Sequence, residues 1–319
     1  MRKISITETE LADLIKIGAK MVLDIKHPEF ETTFLGVNRR YHESRRMLEE
    51  ECHAFEEQYQ WARDIAKQCV ANLRNGFFSF QVEHRYEAFS NVDVTIILDE
   101  SVFLCHAEIY RINTNTGTIY INVYYSRNLY SYYKDYQLED ETYRIVVHEM
   151  THGNIFAHRI KYLEVEDDKV DDTPDYYQNI VQAMRYYPVN SDEYLFVRAM
   201  YLYYYQEKQA IISQGYAEID NELRSLNKTT VKNSEIKNLI WRTESYKDFA
   251  DSKMICNKII KYPHIRTKIQ ISLKDYDINM PNRKFLAFVK NIRKSLAAGL
   301  KNIVANKYYY CWKNYRIVG

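Results

Sequence analysis

Residues 145–156 of the chain read IVVHEMTHGNIF, and the interpretation of the whole sequence starts from this stretch. It contains His148 and His152, four residues apart, with Glu149 directly after the first histidine. On an α-helix, residues four apart lie about 40° apart around the axis, so both imidazoles leave one face about one turn apart. That arrangement suits a tetrahedral zinc ion, and Glu149 can reach a zinc-bound water as a general base. The apolar flanks of the motif predict a buried helix.

Three strands are predicted before this helix. Residues 91–98, 102–112 and 118–125 are rich in β-branched and aromatic residues, and the first run alternates between apolar and polar residues. The link at residues 113–117 reads NTNTG, which is typical of a hairpin turn between the last two strands. We expect the HExxH helix to begin near residues 139–142.

Strand, hairpin, strand and then an HExxH helix is the order found in zincin metallopeptidases, and residues 90–215 resemble that family. In zincins the motif helix follows a small twisted sheet whose edge strand holds the substrate. The resemblance implies an α+β fold with a zincin-like core. This core would consist of a small twisted mixed sheet, the HExxH helix and a second helix that carries another zinc ligand.

The third zinc ligand distinguishes subclasses of the family. Residues 194–214 are apolar and aromatic with helical spacing, which predicts one buried helix beside the first. Glu207 on that helix needs a partner, because burying an unpaired carboxylate is costly. Glu207 to Ala210 reads EKQA and resembles the ExxA element of gluzincins, including the CAAX-processing peptidases. The resemblance implies Glu207 as the ligand, although Ile211 stands where an aspartate that orients a ligand is usual.

Other assignments of the third ligand stay open. His158 has the metzincin spacing from the motif, but Ile155 stands where that pattern needs glycine. In a continuous helix, His158 would point about 240° away from the second motif histidine. Glu193, at the start of the helix predicted to carry Glu207, is another candidate. In a further alternative, Glu207 is a solvated residue beside Lys208.

The chemistry that follows from such a site is peptide hydrolysis. Zinc lowers the pKa of a bound water, and Glu149 accepts its proton during attack on the peptide carbonyl, then passes that proton to the leaving amine. Zincins often add a tyrosine or histidine that stabilises the oxyanion. The chain contains 30 tyrosines, and no pattern selects one of them. The tyrosines nearest to Glu207 in sequence are Tyr203, Tyr205 and Tyr216.

Charge divides the chain into two parts. Residues 224–319 contain 21 Lys and Arg against 6 Asp and Glu, a net charge of +15, whereas residues 1–223 carry −14. This step predicts a domain boundary near residues 223–227. We expect a helical N-terminal region at residues 1–75, a zincin-like catalytic core at residues 76–223, and a basic, partly helical region at residues 224–319.

The basic region raises the question of partners. Residues 283–300 carry apolar side chains at helical spacing with interleaved cations, and the tail at residues 307–313 mixes lysines with aromatic residues that could stack on bases. Nucleic-acid contact through residues 224–319 is one interpretation. Attraction between the two halves, or between copies of the chain, is the simpler account.

Two function classes follow from these observations. The first is a zinc metallopeptidase acting on peptides or proteins. The alternative is a structural or assembly protein that retains a zincin-like fold, such as a virion component. The abundance of Tyr, Ile, Lys and Asn resembles the AT-rich coding bias of many bacteriophages and their hosts.

Cysteine usage and hydropathy predict the compartment. The five cysteines form no CxxC pair, which is typical of reduced thiols rather than disulfides or zinc knuckles. Charged residues interrupt the apolar stretch near the N-terminus, unlike a signal peptide. No run approaches the roughly eighteen apolar residues of a membrane span. We therefore expect a cytoplasmic protein, in the host cytoplasm or the virion if phage-encoded, without membrane partners.

Overall fold

The computed structural model describes residues 59–86, 89–113, 116–163, 175–227, 230–278, 282–305 and 316–318. Its elements make an α+β fold, as the sequence predicts. Residues 59–75 form helix α1, which is part of the predicted helical N-terminal region. The rest of that region before residue 59, and the aromatic tail at residues 307–313, lie outside the described residues.

The main sheet has four strands in the order β1-β2-β4-β3. These strands are β1 (Ser79–Tyr86), β2 (Phe89–Asp99), β3 (Cys105–Asn113) and β4 (Thr118–Ser126). β1 and β3 are antiparallel to their neighbours, whereas β2 and β4 run parallel to each other. Strand β3 therefore forms an edge of the sheet, with no further strand beside it in the described part of the chain.

The three predicted strands are confirmed as β2, β3 and β4. In the hairpin between β3 and β4, Gly117 has a φ of 61°, a left-handed conformation that glycine adopts readily. Strand β1 was not predicted. Its apolar residues Phe80 and Val82 make too short an alternating run to stand out in the sequence.

Eight α-helices follow α1 in the described residues, in addition to a short 3-10 helix at Tyr130–Tyr132. They are α2 (Asp135–Leu163), α3 (Asp175–Tyr186), α4 (Asp192–Tyr203), α5 (Tyr205–Ser225), α6 (Asn233–Arg242), α7 (Glu244–Lys261), α8 (Pro263–Lys274) and α9 (Asn282–Ala305). Helix α2 carries the HExxH motif and begins a few residues earlier than predicted. A short pair of parallel strands, β5 (Thr230–Lys232) and β6 (Arg316–Val318), completes the described fold.

The structure corrects the prediction of one helix over residues 194–214. Two helices, α4 and α5, occupy this stretch, and Tyr204 between them is extended, with φ −61° and ψ 130°. A residue with this ψ ends one α-helix and lets the next begin in a new direction. As a result, Glu207 lies in the first turn of α5. The unpaired N–H groups of a helix start favour a negative charge at this position.

Helix α2 packs against both α5 and the edge strand β3. Gly153 allows close contact with the sheet, because a Cβ there would lie 3.1 Å from Cδ1 of Ile109 and 3.3 Å from Cδ1 of Ile119. The motif helix is buried, as predicted: Val146, Val147 and Met150 are fully shielded from solvent. This packing holds the motif next to the edge strand.

A buried ionic network joins α1, α2 and α5. Arg63 donates to Oδ2 of Asp220 over 2.6 Å, and the same carboxylate accepts from the Tyr143 hydroxyl over 3.2 Å. The Arg63 guanidinium also lies 4.1 Å from the centre of the Tyr143 ring. Arg224 donates to Asp220 from the next turn of α5. The network fixes the relative position of the two helices that carry the predicted ligands.

The basic region packs onto the predicted core. The rings of Phe196 in α4 and Phe285 in α9 lie 5.6 Å apart, and Lys208 of α5 donates to Ser295 of α9 over 3.0 Å. Residues from Trp61 onward form one compact unit. The boundaries drawn at residues 76 and 224 stay predictions.

The described cysteines, Cys69, Cys105 and Cys256, are free. Burial raises the pKa of Cys69 and raises that of Cys105 to about 12, so both are protonated at neutral pH. No helix in the described ranges is long and apolar enough to cross a membrane.

Candidate metal centre

The two motif histidines face each other on α2. Their Nε2 atoms lie 3.2 Å apart, and the ring centres are 4.9 Å apart at an interplanar angle of 72°. Both side chains are largely buried. This is the arrangement predicted from the four-residue spacing of His148 and His152.

Glu207 brings a carboxylate from α5 to the same point. Its Oε2 lies 3.7 Å from Nε2 of His148, and its Oε1 lies 3.6 Å from Nε2 of His152. Only 9% of the Glu207 side chain is exposed, which excludes the alternative of a solvated residue. The structure therefore brings together the three residues predicted as ligands.

The donor atoms fit a metal ion. One atom each from His148, His152 and Glu207 lies within 4.8 Å of the others, and no other group of three or more such residues is found in the described part of the chain. Two zinc–nitrogen bonds of about 2.0–2.1 Å at a tetrahedral angle would place the nitrogens about 3.3–3.4 Å apart. The separation of 3.2 Å between the two Nε2 atoms is close to this value.

The surroundings of the site shift the pKa values of the two histidines in opposite directions. Burial, together with the charge of His152, lowers the pKa of His148 to about 3, so this ring is neutral at physiological pH. Burial also acts to lower the pKa of His152, but the hydrogen bond and charge of Glu207, with the charge of Glu149, raise it overall. The neutral ring of His148 can bind a cation directly. The ring of His152, which is paired with Glu207, can do so once it loses its proton.

Glu149 lies beside the three donors without being one of them. Its Oε1 is 3.9 Å from Nε2 of His148, and its Oε2 accepts the main-chain N–H of Ile109 over 3.2 Å. Burial raises the pKa of Glu149 to about 7, opposed by the charge of His152 and supported by that of Glu207. A carboxylate with this pKa can both accept and release a proton near neutral pH.

The other candidate ligands are placed differently. Glu193 pairs with Lys268, with 2.6 Å between its Oε1 and the Nζ. Helix α2 continues to Leu163, so the backbone at His158 lacks the sharp metzincin turn. The side chain of His158 lies outside the described residues.

The nearby tyrosines do not resolve the oxyanion-stabilising group. The hydroxyl of Tyr216 is buried and donates to the carbonyl of Asn302 in α9 over 3.4 Å. The ring of Tyr203 packs against Phe288, with 5.5 Å between ring centres. The side chain of Tyr205 lies outside the described residues.

No carboxylate stands at position 211, as the sequence indicates. Ile211, one turn after Glu207, is buried and apolar. Nδ1 of His148 is buried and has no hydrogen-bond partner among the described residues. A zinc-bound histidine usually donates the N–H of its other ring nitrogen to a carboxylate or carbonyl.

Sequence reasoning missed a second buried charge near the site. Arg198 of α4 forms an ion pair with Asp248 of α7. The guanidinium of Arg198 also lies 5.0 Å from the centre of the Tyr201 ring. Its positive charge helps to keep His148 neutral. An arginine within the apolar run YLFVRAMYL was the available signal, because a buried cation requires a partner.

Comparison with known proteins gives no relative. No protein-family profile matches the sequence, no curated protein matches it, and no solved structure matches the fold. Membership of the zincin family and a phage origin therefore stay predictions. What the structure itself supports is a buried group of two histidines and one glutamate that could hold a metal ion.

Proposed function

We propose that the protein is a zinc-dependent peptidase whose metal is held by His148, His152 and Glu207. One observation carries the proposal. A buried carboxylate from a separate helix lies within 3.7 Å of the Nε2 atoms of both HExxH histidines. Two imidazoles and one carboxylate form the ligand set of a catalytic zinc site that keeps one position open.

The chain's own residues supply the proton chemistry. When bound, zinc would act as a Lewis acid that acidifies water and polarises a peptide carbonyl. Glu149 accepts the proton of the attacking water and then protonates the leaving amine. The hydrogen bond from Ile109 holds one oxygen of Glu149, leaving the other directed towards His148.

The edge strand β3 is suited to hold the peptide. It borders the motif helix, and its outer edge has no partner strand among the described residues. An extended peptide can add to such an edge through main-chain hydrogen bonds. The N–H of Ile109 links this edge directly to Glu149.

The test combines metal analysis with Glu149→Gln. We expect about one zinc per chain by elemental analysis, and chelator-sensitive cleavage of a peptide library. Glu149→Gln should abolish cleavage while keeping the zinc content and the fold, because Glu149 is not a ligand. Glu139→Gln, on the same helix, is the matched control and should cleave normally.

The alternative of a structural or assembly protein makes the opposite prediction. Under it, zinc-loaded protein cleaves no peptide, and Glu149→Gln changes nothing measurable. Absence of zinc after incubation with the metal at neutral pH would contradict the peptidase proposal at its first step.

A further inference from the structure

Glu108 stands on the edge strand immediately before Ile109, the residue whose N–H contacts Glu149. Successive side chains of a strand point to opposite faces, so Glu108 projects from the face opposite to Ile109. Burial dominates the raised pKa of Glu149, and the charge of Glu108 adds to it. Glu108 is therefore one strand residue away from the main-chain contact that joins β3 to Glu149.

The Glu108 carboxylate is held by two neighbours on β4. Asn122, directly opposite Glu108 in the register, donates to its Oε1 over 3.2 Å. The hydroxyl of Tyr124 donates to the same oxygen. Oε2 has no hydrogen-bond partner among the described residues. The carboxylate is thus pre-oriented, with one oxygen left for an incoming donor.

No cation of the described chain neutralises Glu108. Neither Lys nor Arg forms an ion pair with it in the described ranges. Burial lowers the pKa of His106, which stacks on Tyr124 at 5.9 Å, so this histidine is neutral at physiological pH. The positive charge of Arg185 in α3 also lowers the pKa of His106. Arg185 forms no ion pair with Glu108 in the part of the chain that is described. An exposed, oriented negative charge remains beside the proposed peptide edge.

The register determines which substrate position would meet this charge. Pairing between residues 105–109 and β4 is regular, with a shift only after Ile109. The N–H of Ile109 points away from β4 and already donates to Glu149, so alternation leaves the backbone groups of Ala107 on this edge for a peptide to pair with. A peptide bound there would place one residue opposite Glu108 as a non-hydrogen-bonded pair, in which side chains approach most closely.

We propose that Glu108 selects substrates with a lysine or arginine at the position opposite it on edge strand β3. This inference rests on the proposed peptidase function and names the substrate class of the same site. A cation at that position forms an opposite-charge cross-strand pair with the free oxygen of Glu108. The ring of Tyr124, beside the carboxylate, offers apolar surface to the methylene stem of the same side chain.

The experiment profiles cleavage sites of the zinc-loaded full chain on a peptide library. We expect Lys or Arg at one fixed position relative to the cleaved bond. Replacing that residue by norleucine in a single peptide should lower kcat/KM by about tenfold, as expected for the loss of one partly desolvated charge pair. The loss should shrink at high salt, because the pair is partly exposed.

Variants of Glu108 isolate its contribution. Glu108→Gln should cut the lysine and norleucine peptides equally well, and Glu108→Lys should shift the preference towards Asp or Glu. Tyr124→Phe keeps the ring and removes one donor, so it should weaken the preference without abolishing it. Glu83→Gln, an exposed carboxylate of β1, is the matched control and should leave the preference unchanged. Zinc content should be the same in every variant.

The outcomes separate the two proposals. Cleavage without a basic preference, or a preference that survives Glu108→Gln, overturns the role of Glu108 and leaves the peptidase proposal intact. If the zinc-loaded protein cleaves no peptide, the peptidase proposal fails and this inference fails with it.

Discussion

The main-chain N–H of Ile109 donates a hydrogen bond to Oε2 of Glu149 over 3.2 Å. This bond joins the edge strand β3 to the carboxylate of the HExxH motif, which lies on helix α2. A backbone donor cannot rotate away from its acceptor as a side chain can. The bond therefore orients Glu149 relative to any peptide that pairs with the same edge.

Ile109→Pro removes this donor without breaking a bond between β3 and β4, because the N–H points away from β4. We expect slower peptide cleavage, by about tenfold or more, since a general base must be held within hydrogen-bond reach of its proton. Ile109→Ala keeps the N–H and loses only side-chain packing, so it is the control. Equal cleavage rates for the two variants at equal zinc content would argue against an orienting role.

Glu207→Ala should lower zinc affinity by at least about a hundredfold, because it removes one of three ligands from the proposed site. Competition with a chromogenic chelator measures this change. Glu193→Ala is the matched control from the neighbouring helix, since Glu193 pairs with Lys268 instead. His158→Ala should also bind zinc normally. Zinc loss in His158→Ala but not in Glu207→Ala would reverse the ligand assignment.

Zinc affinity should rise with pH in the range where His152 loses its proton. His152 has a raised pKa, so at lower pH a proton occupies the nitrogen that zinc needs. His148, with a pKa of about 3, is already neutral and releases no proton between pH 4 and pH 7. Affinity should therefore fall by up to about tenfold per pH unit below the His152 pKa, the slope for one proton. Because zinc would also displace the proton of Glu149, whose pKa is raised to about 7, the measurement uses the Glu149→Gln variant. Titration calorimetry of this variant in buffers of different ionisation enthalpy counts the protons released by the histidines, and a count of two would contradict this assignment.

Asp220→Ala should destabilise the protein by about 3–5 kcal/mol, because it leaves the buried guanidinium of Arg63 without its carboxylate. Urea unfolding of the metal-free protein measures this free energy. Lys247→Ala removes an exposed ion pair with Glu244 and should change stability by about 1 kcal/mol or less. Similar effects of the two substitutions would show that the network does not fasten α1 and α5 to α2.

Much of the fold could be read from the sequence because the signals are local. The alternation in β2 and the apolar flanks of the motif indicate which face of each element is buried. Such patterns can be recognised without knowing which other elements pack against that face. Strand β1 was missed because only Phe80 and Val82 carry its signal. The break at Tyr204 was missed because the residues on both sides are apolar and suit either one helix or two.

By itself, the sequence determined the local half of the candidate site: helical geometry places His148 and His152 on one face and Glu149 beside them. Only the tertiary structure decided which distant carboxylate completes the group. The break at Tyr204 starts α5 where Glu207 enters its first turn, and packing of α5 on α2 brings that carboxylate to both histidines. The same holds for Ile109, whose contact with Glu149 depends on α2 packing against β3. Sequence spacing specifies neighbours within a helix, whereas contacts between elements depend on how their surfaces pack.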